Sequence, residues 1–397
     1  MHETPSVDRT EPTVAGAPAD ELFHGGPLLR LRSKLPLLRG TKPYVLRRAL
    51  LFVLVAWLPL LVLATLVGSE GKPLLRDLGA FARYVIAGPL LLAADAVCLA
   101  VLGHVAHRFL ELLPTAKGRA RYADAIASAR ALLRHPLADV AVVVLAYLLS
   151  AAAHQAVTLV HMPIWYRSHA DPAALSPTAW WHALVSMPLL LMLVLGWLWR
   201  LLVWTRLLWL LSRLDLALVA VHPDRCAGLA FVGNSLVGFA PVAAGLAAIV
   251  AGAMANEVVY GGASLAAQKD AVVVVVLLAI VLFTTPLLVF SPKLLQLKRR
   301  GADAYDGLAT AFGRQFEREW FDPARPAAQR ELLDRSDFSA GTDLYQLVDR
   351  VGALRLVPVH LTGVALLAIA TALPFVPVAL AVVSFDAIVA ALLGLLH

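Results

Sequence analysis

The side chains best placed to do chemistry in this sequence are polar groups set in apolar runs. Asp95 stands eleven residues past Tyr84, roughly 17 Å into its run at the rise of an α-helix. By the same arithmetic His154, with Gln155 beside it, lies roughly 14 Å from the outer end of its run, and Thr284 and Thr285 roughly 20 Å. Asn234 lies roughly 12 Å from the inner end of another. Four helices thus bring polar groups into one central band. A charged side chain at the centre of a bilayer costs about 2.5–3.5 kcal/mol on insertion scales, so Asp95 is expected to face the bundle interior. No Lys or Arg is predicted at its depth. The carboxyl is therefore expected to be protonated, hydrogen-bonded within the band, or set against water or a cation. One reading makes the band a permeation or proton-coupling site, with Asp95 titrating and His154 relaying. The other makes it a set of interhelical hydrogen bonds that only hold the helices together.

Other chemistry is sparse. No phosphate-binding Gly-rich loop, His-Glu-x-x-His pair or EF-hand loop is present. Gly233-Asn-Ser-Leu-Val-Gly238 is one residue too long for a nucleophile elbow. His104, His107 and Glu111 share a helical face and offer metal ligands on paper, but beside Arg108 at a helix end they read as a headgroup-facing surface. His161 and His182 both lie near the outer surface, which does not suit a haem held between facing helices. The chain is accordingly expected to be neither an enzyme nor a carrier of a cofactor or metal.

Depth has meaning only in a membrane, and the composition requires one. The chain has 397 residues, 60% hydrophobic and 15% charged, with a mean hydropathy of +0.75. Soluble proteins carry about 25% charged residues. Apolar windows run over 49–68, 84–103, 140–163, 183–199, 227–256, 271–292 and 356–385, each long enough for a span. The net charge of +7 could suggest a nucleic-acid partner, but its distribution does not. Of the Lys and Arg, only Lys72, Arg76, Arg83, Arg167 and Lys269 fall in predicted external segments. This asymmetry puts the N-terminus in the cytoplasm.

Residues 1–26 read as a disordered tail and 27–48 as a basic amphipathic segment against anionic headgroups. Six spans fill 49–292, with a cytoplasmic helix at 115–137. The segment 293–355 is helical and cytoplasmic, and 356–397 forms a kinked last span followed by an interfacial helix capped at Ser384. A hairpin at Pro374 and Pro377 would instead make eight spans. Trp197, Arg200 and Trp204 share a face near the inner boundary and read as an interfacial anchor. Gly245, Ala248 and Gly252 form a small-residue face for close helix approach. Three amphipathic stripes, one of them Tyr305, Leu308, Phe312, Phe316 and Trp320, are expected to pack as a cytoplasmic bundle. The third starts after Thr342 as N-cap. The fold class is therefore all-α, a polytopic transmembrane bundle of about seven spans with a small cytoplasmic helical bundle.

The turn His222-Pro-Asp-Arg-Cys-Ala-Gly-Leu229 resembles the His-Pro-Asp-Arg-x-Gly-Gly-Leu turn of an uncharacterised family of multi-pass bacterial inner-membrane proteins. Lys298-Arg-Arg-Gly301, Asp337 to Leu347 and Arg355-Leu-Val-Pro358 are similar too, and Ala227 departs from the family's Gly. The resemblance implies a bacterial inner-membrane location and no substrate. Physically, Asp224 suits a helix N-cap, while His222 and Arg225 face headgroups or the cytoplasmic bundle; the turn reads either as helix capping alone or as a gating or coupling contact between the membrane and cytoplasmic layers. Taken together, the sequence points to a channel or secondary transporter for an ion or small solute, embedded in lipid and open to homo-oligomerisation. The alternative is a non-transporting sensor or scaffold that recruits a partner through its cytoplasmic helices.

Overall fold

The computed structural model describes residues 44–66, 72–156, 164–166, 174–261, 265–320 and 337–380. The tail 1–26, most of the basic segment and the helix expected after Ser384 lie outside the described residues. Among the described residues seven helices are long and apolar enough to cross a membrane: α1 (Val45–Leu66), α2 (Leu78–Leu112), α4 (Pro136–Gln155), α5 (Pro177–Ser212), α6 (Ala230–Val259), α7 (Gln268–Arg318) and α9 (Leu361–Leu380). Between them lie α3 (Ala116–Leu133) and α8 (Asp337–Gly352). The chain is an all-α polytopic bundle. We call the side bearing α3, α8 and the end of α7 the basic side, and its opposite the far side.

Several boundaries differ from expectation for local reasons. α1 already includes Arg47 and Arg48, because nothing in 44–48 breaks a helix. α8 begins at Asp337, so Thr342 lies inside it and not at its N-terminus. α9 runs through Pro374 with a tightened turn at Leu373–Phe375 and continues past Pro377, so the chain does not reverse at the two prolines and the described residues hold seven candidate spans. The expected three-helix bundle is also divided. α3 packs along α5, with Arg206 Nη2 donating to Ser128 Oγ at 2.9 Å and Tyr122 Oη to the Ala106 carbonyl at 2.9 Å. The end of α7 and α8 pack on each other instead.

α6 is the hub, with 67% of its apolar window buried against 17% for the outlying α4. It packs on α2 at one face and α9 at another. Glycine permits the first contact. A methyl group at Gly252 would stand 2.3 Å from Ala82 Cβ, one at Gly245 2.8 Å from Leu91 Cδ2, and one at Gly238 3.2 Å from Val101. These glycines recur every seven residues, so they form one stripe that admits α2 at close range. Gly196 on α5, by contrast, has no neighbour within 4 Å of such a methyl.

This contrast makes a test. Gly252→Ala overpacks the α2–α6 contact and is expected to cost about 1–3 kcal/mol, whereas Gly196→Ala should be neutral or stabilising by up to about 1 kcal/mol. Thermal unfolding of the detergent-solubilised chain reads both; equal effects would mean that α2 and α6 do not approach this closely.

Candidate functional site

Asp95 projects from α2 into the bundle, only 5% exposed. Its expected isolation from cations is not what the structure shows. Arg48 Nη1, from the first turn of α1, donates to Oδ2 at 3.0 Å, and Arg200 Nη1, from α5, donates to Oδ1 at 2.5 Å. Neither arginine was expected here, because each was placed at the depth of its own Cα, while a guanidinium reaches several ångströms beyond it. Trp197, Arg200 and Trp204 do share a face, with the Arg200 guanidinium 4.6 Å from the Trp197 ring. That face points inward, and all three are buried, so they do not form an interfacial anchor. Trp197 Nε1 donates to the Leu91 carbonyl at 2.9 Å, which fixes the ring under the guanidinium. One carboxylate thus answers two permanent cations from two other spans, and Arg200 Nε has no hydrogen-bond partner among the described residues.

A second polar cluster lies nearer the far side. There α2 and α5 each depart from regular α-helix into π-helical turns, Ala82–Ala87 and His182–Ser186. Tyr84 in the first hydrogen-bonds His182 Nε2 in the second at 2.8 Å, and Tyr166 takes Nδ1. A neutral imidazole fills both bonds, one nitrogen donating and the other accepting. Beside it, buried Asp77 accepts from Trp165 Nε1 at 3.0 Å, Asn256 Nδ2 at 2.8 Å and the Ala80 N–H at 2.8 Å. It therefore caps the start of α2 and ties that end to α6. Burial pushes the Tyr166 phenol well above its ordinary value, so it remains protonated. His154 belongs to this cluster, its ring 5.7 Å from that of Tyr166, and its Nε2 is buried without a partner among the described residues. Gln155 is exposed beside it. Apart from His154 and the discounted His182, none of this cluster was legible as a site. The groups are far apart in sequence, and π turns leave no composition signal. His161 lies outside the described residues.

The other members of the expected band lie elsewhere. Thr284 and Thr285 donate to the Ile280 and Val281 carbonyls, each at 2.6 Å, so their hydroxyls are used within α7 ahead of Pro286. Asn234 is exposed at the start of α6, on the basic side. The structure therefore distributes Asp95, His154, the threonine pair and Asn234 over four places.

The turn between α5 and α6 is built around Asp224. Its Oδ1 accepts from the N–H groups of Cys226 at 2.8 Å and Gly228 at 3.1 Å, its Oδ2 from Ala230 at 3.1 Å, and His222 Nδ1 stands 2.8 Å away. Asp224 thus reaches the first N–H of α6 at Ala230, but from within the turn: the N-cap position itself is Leu229, whose side chain caps nothing. The backbone enters the left-handed region at Arg225, Ala227 and Gly228, with φ of 56°, 59° and 92°. Burial pushes the Asp224 carboxyl up, but the Cys226, Ala230 and Gly228 donors and His222 together hold it below its ordinary value. Burial also pushes the Cys226 thiol up, to about 11. Arg225 is exposed, and its carbonyl accepts from the Arg355 N–H at 2.8 Å. Lys298 Nζ donates to the Gly352 and Leu354 carbonyls at 2.6 and 3.1 Å.

Comparison with protein-family models, with curated proteins and with solved structures finds no match to this chain. Function has to be argued from the sites themselves.

Asp224 generates a pH prediction. Its carboxyl is depressed in the folded state, so its contribution is complete above the ordinary carboxylate value and is lost as pH falls through the depressed one. Asp224→Asn should be less stable than wild type by about 1–2 kcal/mol at neutral pH, the size of a lost cap. The gap should close on acidification below about pH 4. Paired unfolding curves from pH 7 to 3 check this, and a gap that stays constant would remove the charge from the explanation.

Proposed function

We propose that this chain is a secondary transporter for a small ion or solute in the bacterial inner membrane, with its basic side in the cytoplasm. The orientation follows from the excess of Lys and Arg on that side, and the bacterial location from the resemblance of the turn at His222–Leu229. The observation that carries the transport reading is the Arg48–Asp95–Arg200 triad, which joins three spans with Asp95 and Arg200 buried and Arg48 partly so. Hydrophobic residues can usually replace a buried ion triad without loss of stability. Ionisable groups inside spans mark pathways and moving parts. In this reading the triad is a closure on the cytoplasmic side, and the Tyr84–His182–Tyr166 bonds are a closure on the other. Supporting it, π turns cluster at functional sites, and here two of them meet. A transporter fits better than a channel, because bonds between α2 and α5 close both levels. The scaffold reading has one observation of its own: beyond the spans, the end of α7 and α8 pair with each other and leave Leu308 and Tyr345 exposed.

Cys98 is a built-in reporter. It follows Asp95 by one turn, is fully buried, and shares the chain with one other cysteine, Cys226. In a Cys226→Ser background, a membrane-impermeant maleimide added from the cytoplasmic side should label Cys98 slowly. Asp95→Asn or Arg48→Gln should open the triad and raise the rate at least tenfold. Unchanged labelling in both variants, with folding verified, would remove the gate and favour the scaffold.

A further inference from the structure

On the basic side a cavity of about 290 Å³ lies between the end of α2, the His222–Leu229 turn, the start of α6 and the residue preceding α9. The Asp224 carboxylate at its edge is occupied by three backbone N–H groups and His222. Of its remaining polar side chains, Arg108, Glu111, Asn234 and His360 make no hydrogen bond among the described residues. The Arg108 guanidinium lies 4.7 Å from the Phe231 ring centroid, which fixes its plane. Its nearest anion is Glu111 at 3.7 Å, with both side chains substantially exposed. At that separation the two do not share a hydrogen bond. Asn234 and His360 also line the cavity, and neither side chain has a hydrogen-bond partner among the described residues.

The walls thus offer a planar cation, an amide and an imidazole within one small space, with the solvent-exposed Glu111 carboxylate beside them. An anion alone would meet Glu111 unfavourably, and a cation alone would meet Arg108. A ligand that satisfies both carries a phosphate and a primary ammonium a few ångströms apart. Arg is suited to bidentate contact with phosphate oxygens, and a carboxylate accepts from an ammonium. Level and size agree with such a ligand. Asn234 and His360 stand where the apolar runs of α6 and α9 begin, the depth of a lipid headgroup. A volume near 290 Å³ is at the small end of ligand pockets, about 300–1,000 Å³, which leaves acyl chains outside.

We propose that this cavity binds a phosphoethanolamine group, its phosphate on Arg108, Asn234 and His360 and its ammonium on Glu111. The group can come from a membrane phospholipid or from a free aminophosphate. This site is independent of the transport reading.

The test uses the full chain in detergent, with dioleoyl phosphatidylethanolamine, phosphatidylcholine, phosphatidylglycerol and soluble glycerophosphoethanolamine as probes. Retention is read by native mass spectrometry and binding by thermal shift, since a ligand of the folded state raises the unfolding temperature. Phosphatidylethanolamine should be retained at least fivefold over the other two lipids, and Arg108→Gln and Glu111→Gln should each abolish the preference. Asn234→Ala removes an exposed, unbonded side chain and keeps the test valid if the Arg108 variant fails to fold. It should weaken retention at least threefold. If glycerophosphoethanolamine competes as well as the lipid, the source is a free aminophosphate; if it does not compete, the source is the bilayer. Equal retention of phosphatidylcholine, whose quaternary ammonium cannot donate, would overturn the ammonium contact. A preference for phosphatidylglycerol, or variants that bind as wild type does, would overturn the site.

Discussion

Charge taken into hydrocarbon has to be answered inside the bundle, and Asp95 is where this constraint is most severe. Its two carboxylate oxygens are met separately, one by α1 and one by α5. That arrangement fixes the relative rotation of three spans, since only one rotation of each brings Arg48 and Arg200 to the same carboxylate. The effect matters most for α1, with only 28% of its apolar window buried in the protein. Its position owes correspondingly more to polar bonds, among them Ser186 Oγ donating to the Ala56 carbonyl at 2.7 Å. Buried ion pairs roughly break even against apolar packing, so the triad sets geometry more than it adds stability.

α2 is therefore held differently on its two sides. Toward α6 it is held by close packing, with Gly238, Gly245 and Gly252 removing the side chains that would keep the backbones apart. Toward α1 it packs closely too, Gly88 lying against the Phe52 ring, and toward α1 and α5 together it is joined at two further levels by ionisable and aromatic groups, the Asp95 triad and the Tyr84–His182 bond. Packing of small residues is short-ranged and tolerates little displacement. Hydrogen bonds and ion pairs can be exchanged for others, or for water, when a helix shifts. The exchangeable contacts therefore lie where α1 and α5 meet α2.

What the sequence made legible follows the range of the interaction concerned. The spans and amphipathic helices were legible because hydropathy and period are local properties, and the small-residue face because Gly245 and Gly252 are spaced on one helix. A structural role for Asp224 was legible because its bonds to Cys226, Gly228 and Ala230 all close within six residues. The triad was not, although Asp95 and Arg200 stand out individually and Arg48 ends the basic segment, because depth along the backbone omits the length that an arginine side chain adds. The Tyr84–His182–Tyr166 cluster was further out of reach. Its members come from two spans and a loop, and the π turns that align Tyr84 and His182 depend on packing that no window of sequence contains.

The turn between α5 and α6 shows how a local departure from favourable chemistry is sustained by long-range contacts. Arg225 and Ala227 both hold positive φ, at about 1–2 kcal/mol each for a residue with a β-carbon. Ala227 occupies the position where the resembling turn has glycine, which adopts this backbone without that cost. The conformation persists because it directs three N–H groups onto one carboxylate, and hydrogen bonds to a charged acceptor contribute about 1.5–3 kcal/mol each. It also presents the Arg225 carbonyl to Arg355 just ahead of α9, while Lys298 fastens the end of α8 to α7. The short motifs around His222, Lys298 and Arg355 are distant in the chain, yet they meet at one junction. Relaxing the turn would therefore release the start of α6, the approach to α9 and the seat of α8 together.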